Sequence, residues 1–104
     1  SLERLVSKLT KENLWLYILL ELSQRPLYAY EISRIIQNKH HIPVAKVTTY
    51  VVLYKMKREG LIEKKEKTPS LSRPDRKYYG ITEKGLATLE EGRKFLQETL
   101  KTLE

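Results

Sequence analysis

Basic side chains that can bind phosphate are concentrated in the middle third of the chain. Lys46–Gly80 contains ten basic and four acidic residues, so this segment carries +6 of the total net charge of +7. A patch focused in this way is typical of proteins that contact the nucleic-acid backbone. The alternative, that these residues only form a solvated surface, stays open.

The segment "VTTYVVLYKMKREG", residues 47–60, has the spacing of a helix with two apolar faces. One face continues in register towards Leu61 and Ile62, so we expect it to pack on the core; it contains Thr49, Val52, Leu53 and Met56. The opposite face contains Val47, Tyr50, Val51 and Tyr54. An outward face of Val and Tyr beside Lys and Arg suits the major groove of DNA, where thymine methyl groups accept apolar contacts. The alternative is that Tyr50 is partly buried.

Catalytic chemistry has little support in the sequence. There is no cysteine, which excludes disulfides, thiolate metal sites and a cysteine nucleophile. His40 and His41 are adjacent, with no carboxylate nearby in sequence. We expect both histidines to be polar turn residues that could touch phosphate. A glycine-rich phosphate loop is absent from the sequence. We therefore expect no enzyme, no metal and no obligatory cofactor.

Apolar periodicity and breaking residues predict the order of elements. Helices are expected at about 1–10, 11–23, 30–37 and 45–59, with Gly60 just past the end of the last. Strands follow at 61–67 and 77–81, separated by the turn "TPSLSRPDR", and Thr82 begins a final helix as its N-cap. Two short helices followed by a basic hairpin predict a mainly α fold with a small antiparallel β-hairpin, a winged helix-turn-helix. Residues 1–82 would form the DNA-binding part with its N-terminal helix and residues 83–104 a C-terminal dimerisation helix, and the two would pack as one domain.

The predicted DNA contacts lie on the charged helix and on the hairpin, or wing. The candidates are Lys46, Val47, Thr48, Tyr50, Val51, Tyr54, Lys55, Arg58, Lys64, Lys65, Arg73, Arg76 and Lys77. Arginines on a wing can clamp phosphates or enter the adjacent minor groove. The alternative for the wing is a polar tip without contacts.

Leucines at steps of three and four form a seam along the final helix, which is too apolar to be left in water on so small a domain. The predicted dimer interface joins this seam to the first helix and contains Leu2, Leu5, Leu9, Trp15, Leu86, Leu89, Leu96, Leu100 and Leu103. The alternative is that the final helix folds back on its own core. Trp15 could instead line a ligand pocket, because its ring can stack on planar molecules.

Three blocks of sequence resemble the PadR-type transcriptional regulators. They are "ILLELSQRPLYAYEI", "TTYVVLYKMKREGLIE" and "DRKYYGITEKG", which occur in the family's order and extend, with their flanks, over most of the chain. The resemblance implies a dimeric winged helix-turn-helix protein, usually a repressor, with Thr48 and Tyr50 opening the recognition helix. It also implies that Arg76, Lys77 and Tyr78 belong to the wing, and that a planar aromatic effector is conceivable, since some relatives bind phenolic acids or planar drugs.

Departures from the family pattern affect the specificity. Tyr28 and Ala29 replace the usual His-Gly, Val47 replaces Gly, and Val51 stands where Pro is frequent, so operator and effector cannot be carried over. A non-specific architectural DNA-binding protein and a winged-helix protein-interaction module are the alternatives. The longest apolar run, Leu14–Leu22, is too short to cross a membrane. We expect a prokaryotic, cytoplasmic protein that joins the nucleoid when it binds DNA.

Overall fold

The computed structural model describes residues 1–65 and 77–104, which form five α-helices and three short strands. The elements are α1 (Leu2–Leu9), a 3₁₀ turn (Lys11–Asn13), α2 (Leu14–Leu22), β1 (Leu27–Tyr28), α3 (Ala29–Asn38), α4 (Lys46–Arg58), β2 (Ile62–Lys65), β3 (Tyr78–Ile81) and α5 (Glu83–Thr102). The predicted mainly α architecture with a winged helix-turn-helix is confirmed, with α3 and α4 as the two helices of that motif.

The sheet has one strand more than the sequence predicted. Its strand order is β1-β3-β2, and both pairs are antiparallel. Leu27 pairs with Tyr79, while Ile62 pairs with Ile81 on the other side of β3. A strand of two residues has no apolar alternation of its own, so β1 exists only because β3 offers it a free edge.

The prediction that helix α2 starts near Lys11 was wrong by one turn. Asn13 has φ −139° and ψ 45°, which interrupts the helix after the 3₁₀ turn. Two side chains hold this break in place. Asn13 donates a hydrogen bond to the carbonyl of Lys8 and accepts one from the indole N–H of Trp15 at 3.0 Å. Tyr17 donates its hydroxyl to the carbonyl of Leu9 at 2.6 Å, which ties α2 to the end of α1.

The core lies between α2, α3 and α4, with β2 and the first half of α5 closing it. Its fully buried side chains include Ile18, Leu19, Ile32, Ile36 and Leu53. Leu61 and Ile62 are buried as well, so the inward face of α4 continues into β2 as predicted. Burial of this apolar surface is the main favourable term in folding, at about 25 cal/mol per Å².

The predicted end of α4 before the wing and the predicted start of α5 after it are both confirmed. Gly60 has φ +78°, a left-handed conformation that glycine adopts without steric cost, and it ends α4. Thr82 caps α5 by accepting a hydrogen bond from the Gly85 N–H at 3.0 Å. The Thr82 hydroxyl also lies 2.6 Å from the Gly60 carbonyl oxygen, so one residue links the two ends.

Candidate nucleic-acid interface

Helix α4 has the two different faces that its sequence predicted. Thr49, Leu53 and Met56 are buried and Val52 is half-buried, so this face packs on the core. The other face is exposed: Val47 is 66% exposed, Tyr54 63%, Val51 49% and Tyr50 39%. Tyr50 is the least exposed of the four, in line with the alternative that part of its ring is covered. Four apolar or aromatic side chains on one exposed face form a surface that can contact the floor of a groove.

Cations surround this exposed face. Lys46 and Lys55 are exposed, and so is the neighbouring Thr48. The guanidinium carbon of Arg58 lies 5.8 Å from the centre of the Tyr54 ring. A cation over an aromatic ring gains electrostatic attraction while it keeps most of its N–H groups free. Arg58 is thus held beside the apolar face with donors available for phosphate.

The described part of the wing adds a second group of positive charges. Lys64, Lys65 and Lys77 are exposed, and the charges of Lys77 and Lys57 lower the pKa of Lys64. Mutual repulsion of this kind shows that the ammonium groups share one region of positive potential. The predicted contacts Arg73 and Arg76 lie outside the described residues.

Lys65 is positioned by Gly80 on the neighbouring strand. A Cβ atom on Gly80 would lie 2.5 Å from Lys65 Cε, so the lysine stem occupies the space that the missing side chain leaves. Its ammonium group also lies 3.7 Å from a carboxylate oxygen of Glu63. This exposed pair contributes little to stability.

Two residues beside the exposed face of α4 were not among the contacts predicted from the sequence. Tyr30 is exposed on α3, and the ammonium group of Lys46 lies 5.0 Å from the centre of its ring. Lys57 was counted in the charge of the segment but was not listed as a contact. The contact between Tyr30 and Lys46 joins residues of two helices, so sequence spacing could not reveal it.

His40 lies in the turn after α3, as expected for a polar turn residue, and the fold gives it a carboxylate partner that is distant in sequence. Its Nε2 atom lies 2.8 Å from Oε2 of Glu21, which stands 19 residues earlier on α2. Lys39 donates to the same oxygen at 2.8 Å, and the Glu21 side chain is only 8% exposed. The turn from α3 to α4 is therefore anchored to α2 by the largely buried carboxylate of Glu21. The next residue of this turn, His41, has a positive φ of 58°.

The residues predicted for a dimer interface fall into two groups. Six of them are exposed leucines on α1 and α5, a set that we call the α1/α5 face: Leu2, Leu5, Leu9, Leu86, Leu100 and Leu103. Leu96 and Trp15 are half-buried beside it. Leu89 has to be taken off the predicted list, because it is 3% exposed and packs in the core of its own chain. Phe95, 67% exposed on α5, is not on that list because it lies off the leucine seam.

A groove of about 350 Å³ opens beside Trp15, between α1, α2 and α5. Its walls are mostly apolar and consist of Leu9, Asn13, Trp15, Leu16, Tyr17, Gly92, Phe95 and Leu96. Gly92 keeps the groove open towards α2, since a Cβ there would lie 3.2 Å from Leu16 Cδ1 and 3.4 Å from the Trp15 ring. The hydrogen bond to Asn13 fixes the indole ring at one wall.

Within residues 1–65 and 77–104, no three or more His, Cys, Asp or Glu side chains are grouped so that they could hold a metal ion. In the same part of the chain, no helix is long and apolar enough to cross a membrane.

The helix-turn-helix, its exposed apolar face and the surrounding cations define a winged-helix DNA-binding regulator. The family model for the transcriptional regulator PadR-like family matches residues 18–91, so the chain belongs to that family. It is a DNA-binding type of transcriptional regulator and, as expected, not an enzyme. No curated protein sequence matches the chain.

Solved structures agree with this assignment. A PadR-like transcriptional regulator from Bacillus cereus is 37% identical with a TM-score of 0.79, and the alignment covers 93% of each chain. A PadR-like transcription factor from Bacteroides fragilis is 29% identical with a TM-score of 0.68, covering 97% of this chain and 99% of the other. A PadR family regulator from Eggerthella lenta is 27% identical with a TM-score of 0.71, covering 98% and 88%. Similarity therefore includes α1 and most of α5.

Proposed function

We propose that this protein is a homodimeric, sequence-specific repressor of transcription that binds a palindromic DNA site. The observation that carries the proposal is α4, whose four exposed apolar and aromatic side chains are flanked by Lys46, Lys55 and Arg58 while its other face is buried. A helix of this kind fits the major groove, where apolar contacts and hydroxyl groups read base edges. The protein would act in a prokaryotic cytoplasm, on the nucleoid.

The roles of the side chains follow from their chemistry and position. Val47, Val51 and the two tyrosines of the exposed face would contact bases, and Thr48 could bond a base edge or a phosphate. Lys55 and Arg58 would bind phosphates along the groove. The wing residues Lys64, Lys65 and Lys77, together with Arg73 and Arg76, would contact the backbone or the adjacent minor groove.

Homodimer formation is supported by the α1/α5 face. Six leucines exposed by 43–79% make this face costly to leave in water, and a second copy would cover it. A twofold axis through the dimer would present two copies of α4 to successive major grooves about 34–36 Å apart, which predicts a palindromic site. In this proposal the DNA-binding part at 1–82 and the dimerisation helix at 83–104 pack as one domain, which the burial of Leu89 of α5 in the core supports.

Sequence-specific binding is tested by selecting duplexes from a random DNA library. The selected duplexes are then titrated in gel shifts at several salt concentrations. We expect enrichment of a palindrome and an affinity that falls steeply with salt. Lys55→Ala should reduce the salt slope by about 1. Lys101→Ala is the control, since it removes the same charge near the far end of α5, about 27 Å along the helix from Glu83.

The outcomes separate the candidate functions. Tight binding without enrichment of any sequence would favour a non-specific architectural protein. Absence of binding would favour a protein-interaction module that uses the same exposed face. Repression is tested with a reporter gene behind the selected site, whose expression should fall when the protein is produced and recover with the Lys55→Ala variant.

We also propose that the groove beside Trp15 takes a small planar aromatic effector. The support is its apolar lining and an indole ring that a hydrogen bond from its N–H to Asn13 holds in place, on which a flat molecule can stack. Trp15 is the one tryptophan in the sequence, so fluorescence quenching by an added phenolic acid reports on this groove. Saturable quenching together with release of DNA supports an effector; linear, unsaturable quenching contradicts it.

A further inference from the structure

Three side chains from two helices meet at the amino end of α4. Tyr30 and Arg34 stand one turn apart on the exposed side of α3, and Lys46 is the first residue of α4. Arg34 Nη1 donates a hydrogen bond to the Tyr30 hydroxyl at 3.3 Å. Lys46 Nζ lies 5.0 Å and Arg34 Cζ 5.8 Å from the centre of the Tyr30 ring. The tyrosine thus holds two cations close to one another.

Acidic partners for these cations are missing from the described part of the chain. Neither Arg34 nor Lys46 forms an ion pair there, whereas Lys39, Arg25 and Lys8 each pair with a glutamate. The hydrogen bond from Arg34, its charge and the charge of Lys46 lower the pKa of Tyr30, so positive potential is concentrated at the hydroxyl. An approaching anion would therefore meet two cations that form no ion pair with any described residue.

The hydrogen-bonding capacity of the cluster is also that of an anion site. The Tyr30 oxygen already accepts from Arg34, and among the described residues the hydroxyl has no acceptor for its own proton. Lys46 supplies up to three N–H donors and the Arg34 guanidinium supplies further ones. Several donors from three side chains match an anion with several oxygens, such as a phosphate diester.

The position of the cluster in the fold indicates that this phosphate belongs to the DNA backbone. In a helix-turn-helix the second helix enters the major groove with its amino end towards the bases, and the first helix crosses the DNA backbone. The cluster lies where α3 meets the amino end of α4, so a backbone strand bordering the groove would pass over it.

We propose that Tyr30, Arg34 and Lys46 bind one phosphate of the DNA backbone and thereby set the register of α4 in the groove. This rests on the proposed function, but it adds α3 to the interface and assigns Tyr30 and Arg34, which are not among the contacts predicted from the sequence. Tyr30 contributes its hydroxyl directly to the phosphate and also orients both cations through its ring. Both helices would then be fixed to the same point on the DNA.

The first test compares Tyr30→Phe, Arg34→Gln and the control Lys101→Ala on one selected duplex. Tyr30→Phe keeps the ring and removes the hydroxyl, and we expect an affinity loss of about threefold to tenfold. Arg34→Gln should lower the salt slope by about 1. All three sites are exposed, so thermal unfolding should be nearly unchanged and separates lost binding from lost folding. Full affinity in both cluster variants would overturn the proposal.

The second test locates the phosphate. Duplexes with a single neutral methylphosphonate are titrated with the wild-type protein and with Arg34→Gln. One phosphate on each half-site should weaken wild-type binding when neutralised, yet have little further effect on Arg34→Gln, because contacting partners are not additive. Equal losses of DNA affinity in both proteins, at every methylphosphonate position, would overturn the proposed phosphate site. They would leave the proposed DNA-binding function standing. If the wild type binds none of the duplexes, the DNA-binding function fails together with it.

Discussion

Lys84, in the first turn of α5, donates a hydrogen bond to the carbonyl oxygen of Glu59 at 2.7 Å. Glu59 follows the last residue of α4, so a cation of one helix satisfies the carboxyl end of the other. Thr82 adds a second connection through the Gly60 carbonyl. The start of α5, the helix proposed to form the dimer, is therefore bonded to the end of α4, the helix proposed to read DNA. The position of one helix constrains that of the other.

Replacing Gly85 with alanine should disturb this junction. A Cβ at Gly85 would lie 2.2 Å from the Leu61 carbonyl oxygen and 2.7 Å from Ile81 Cγ1, so α5 must move away from the sheet. We expect a loss of about 1–3 kcal/mol in the free energy of unfolding, measured by urea denaturation. Gly92→Ala on the same helix is the control. Its nearest neighbour is a side-chain methyl at 3.2 Å, and a gain in helix propensity of up to about 1 kcal/mol offsets the contact. Equal stabilities of the two variants would contradict the close packing.

The two faces of α4 should separate stability from DNA affinity. Leu53→Ala leaves a cavity in the core and should cost about 2–5 kcal/mol in stability. Tyr54→Ala removes a side chain that is 63% exposed and should change stability by about 0.5 kcal/mol or less. Its DNA affinity should fall roughly tenfold, as expected for the loss of a base contact. Calorimetric unfolding and fluorescence anisotropy measure the two effects. Unchanged DNA affinity in folded Tyr54→Ala would remove this residue from the interface.

Acid should weaken the anchor between Glu21 and the turn before α4. Burial by itself raises the pKa of Glu21, but hydrogen bonds from Lys39 and His40 outweigh it, so the pKa lies below its ordinary value of 4.5. A lowered folded-state pKa means that the carboxylate stabilises the fold above about pH 4.5, and that this stability is lost as the pH falls through the folded-state value.

Thermal unfolding of wild type and Glu21→Gln from pH 7 to pH 3 checks this expectation. The variant should be less stable by about 2 kcal/mol near pH 6, and the gap should close on acidification. Glu98→Gln, which changes an exposed carboxylate of α5, is the control and should follow the wild type. A gap that stays constant across this range would show that the ionised carboxylate is not what stabilises the turn.

Charges placed in the α1/α5 face should prevent dimer formation. Leu100 and Leu103 are exposed by 62% and 79% in the single chain, and each should bury an apolar side chain worth about 1.5–3 kcal/mol in the proposed dimer. The double variant Leu100→Glu/Leu103→Glu should sediment as a monomer at micromolar concentration. Thr102→Glu adds a negative charge between the two leucines but off the seam, and should remain dimeric. Dimers of the double variant would place the interface elsewhere.

The sequence by itself determined the features that repeat along a single element. The two faces of α4, its end at Gly60 and the cap of α5 at Thr82 all follow from spacing and residue type within a few positions. The family resemblance also came from local blocks, and the matched residues 18–91 confirm it. Helical periodicity is local, so it can be seen without knowing how the chain folds.

Tertiary structure decided the contacts between distant segments. Strand β1 forms only against β3, Glu21 meets His40 across 19 residues, and Tyr30 meets Lys46 across two helices. Leu89 continues the leucine seam in sequence but turns inwards, because α5 packs its first half against α2. These outcomes depend on which elements pack together and at what angle, a property of the whole core that no single stretch of sequence carries.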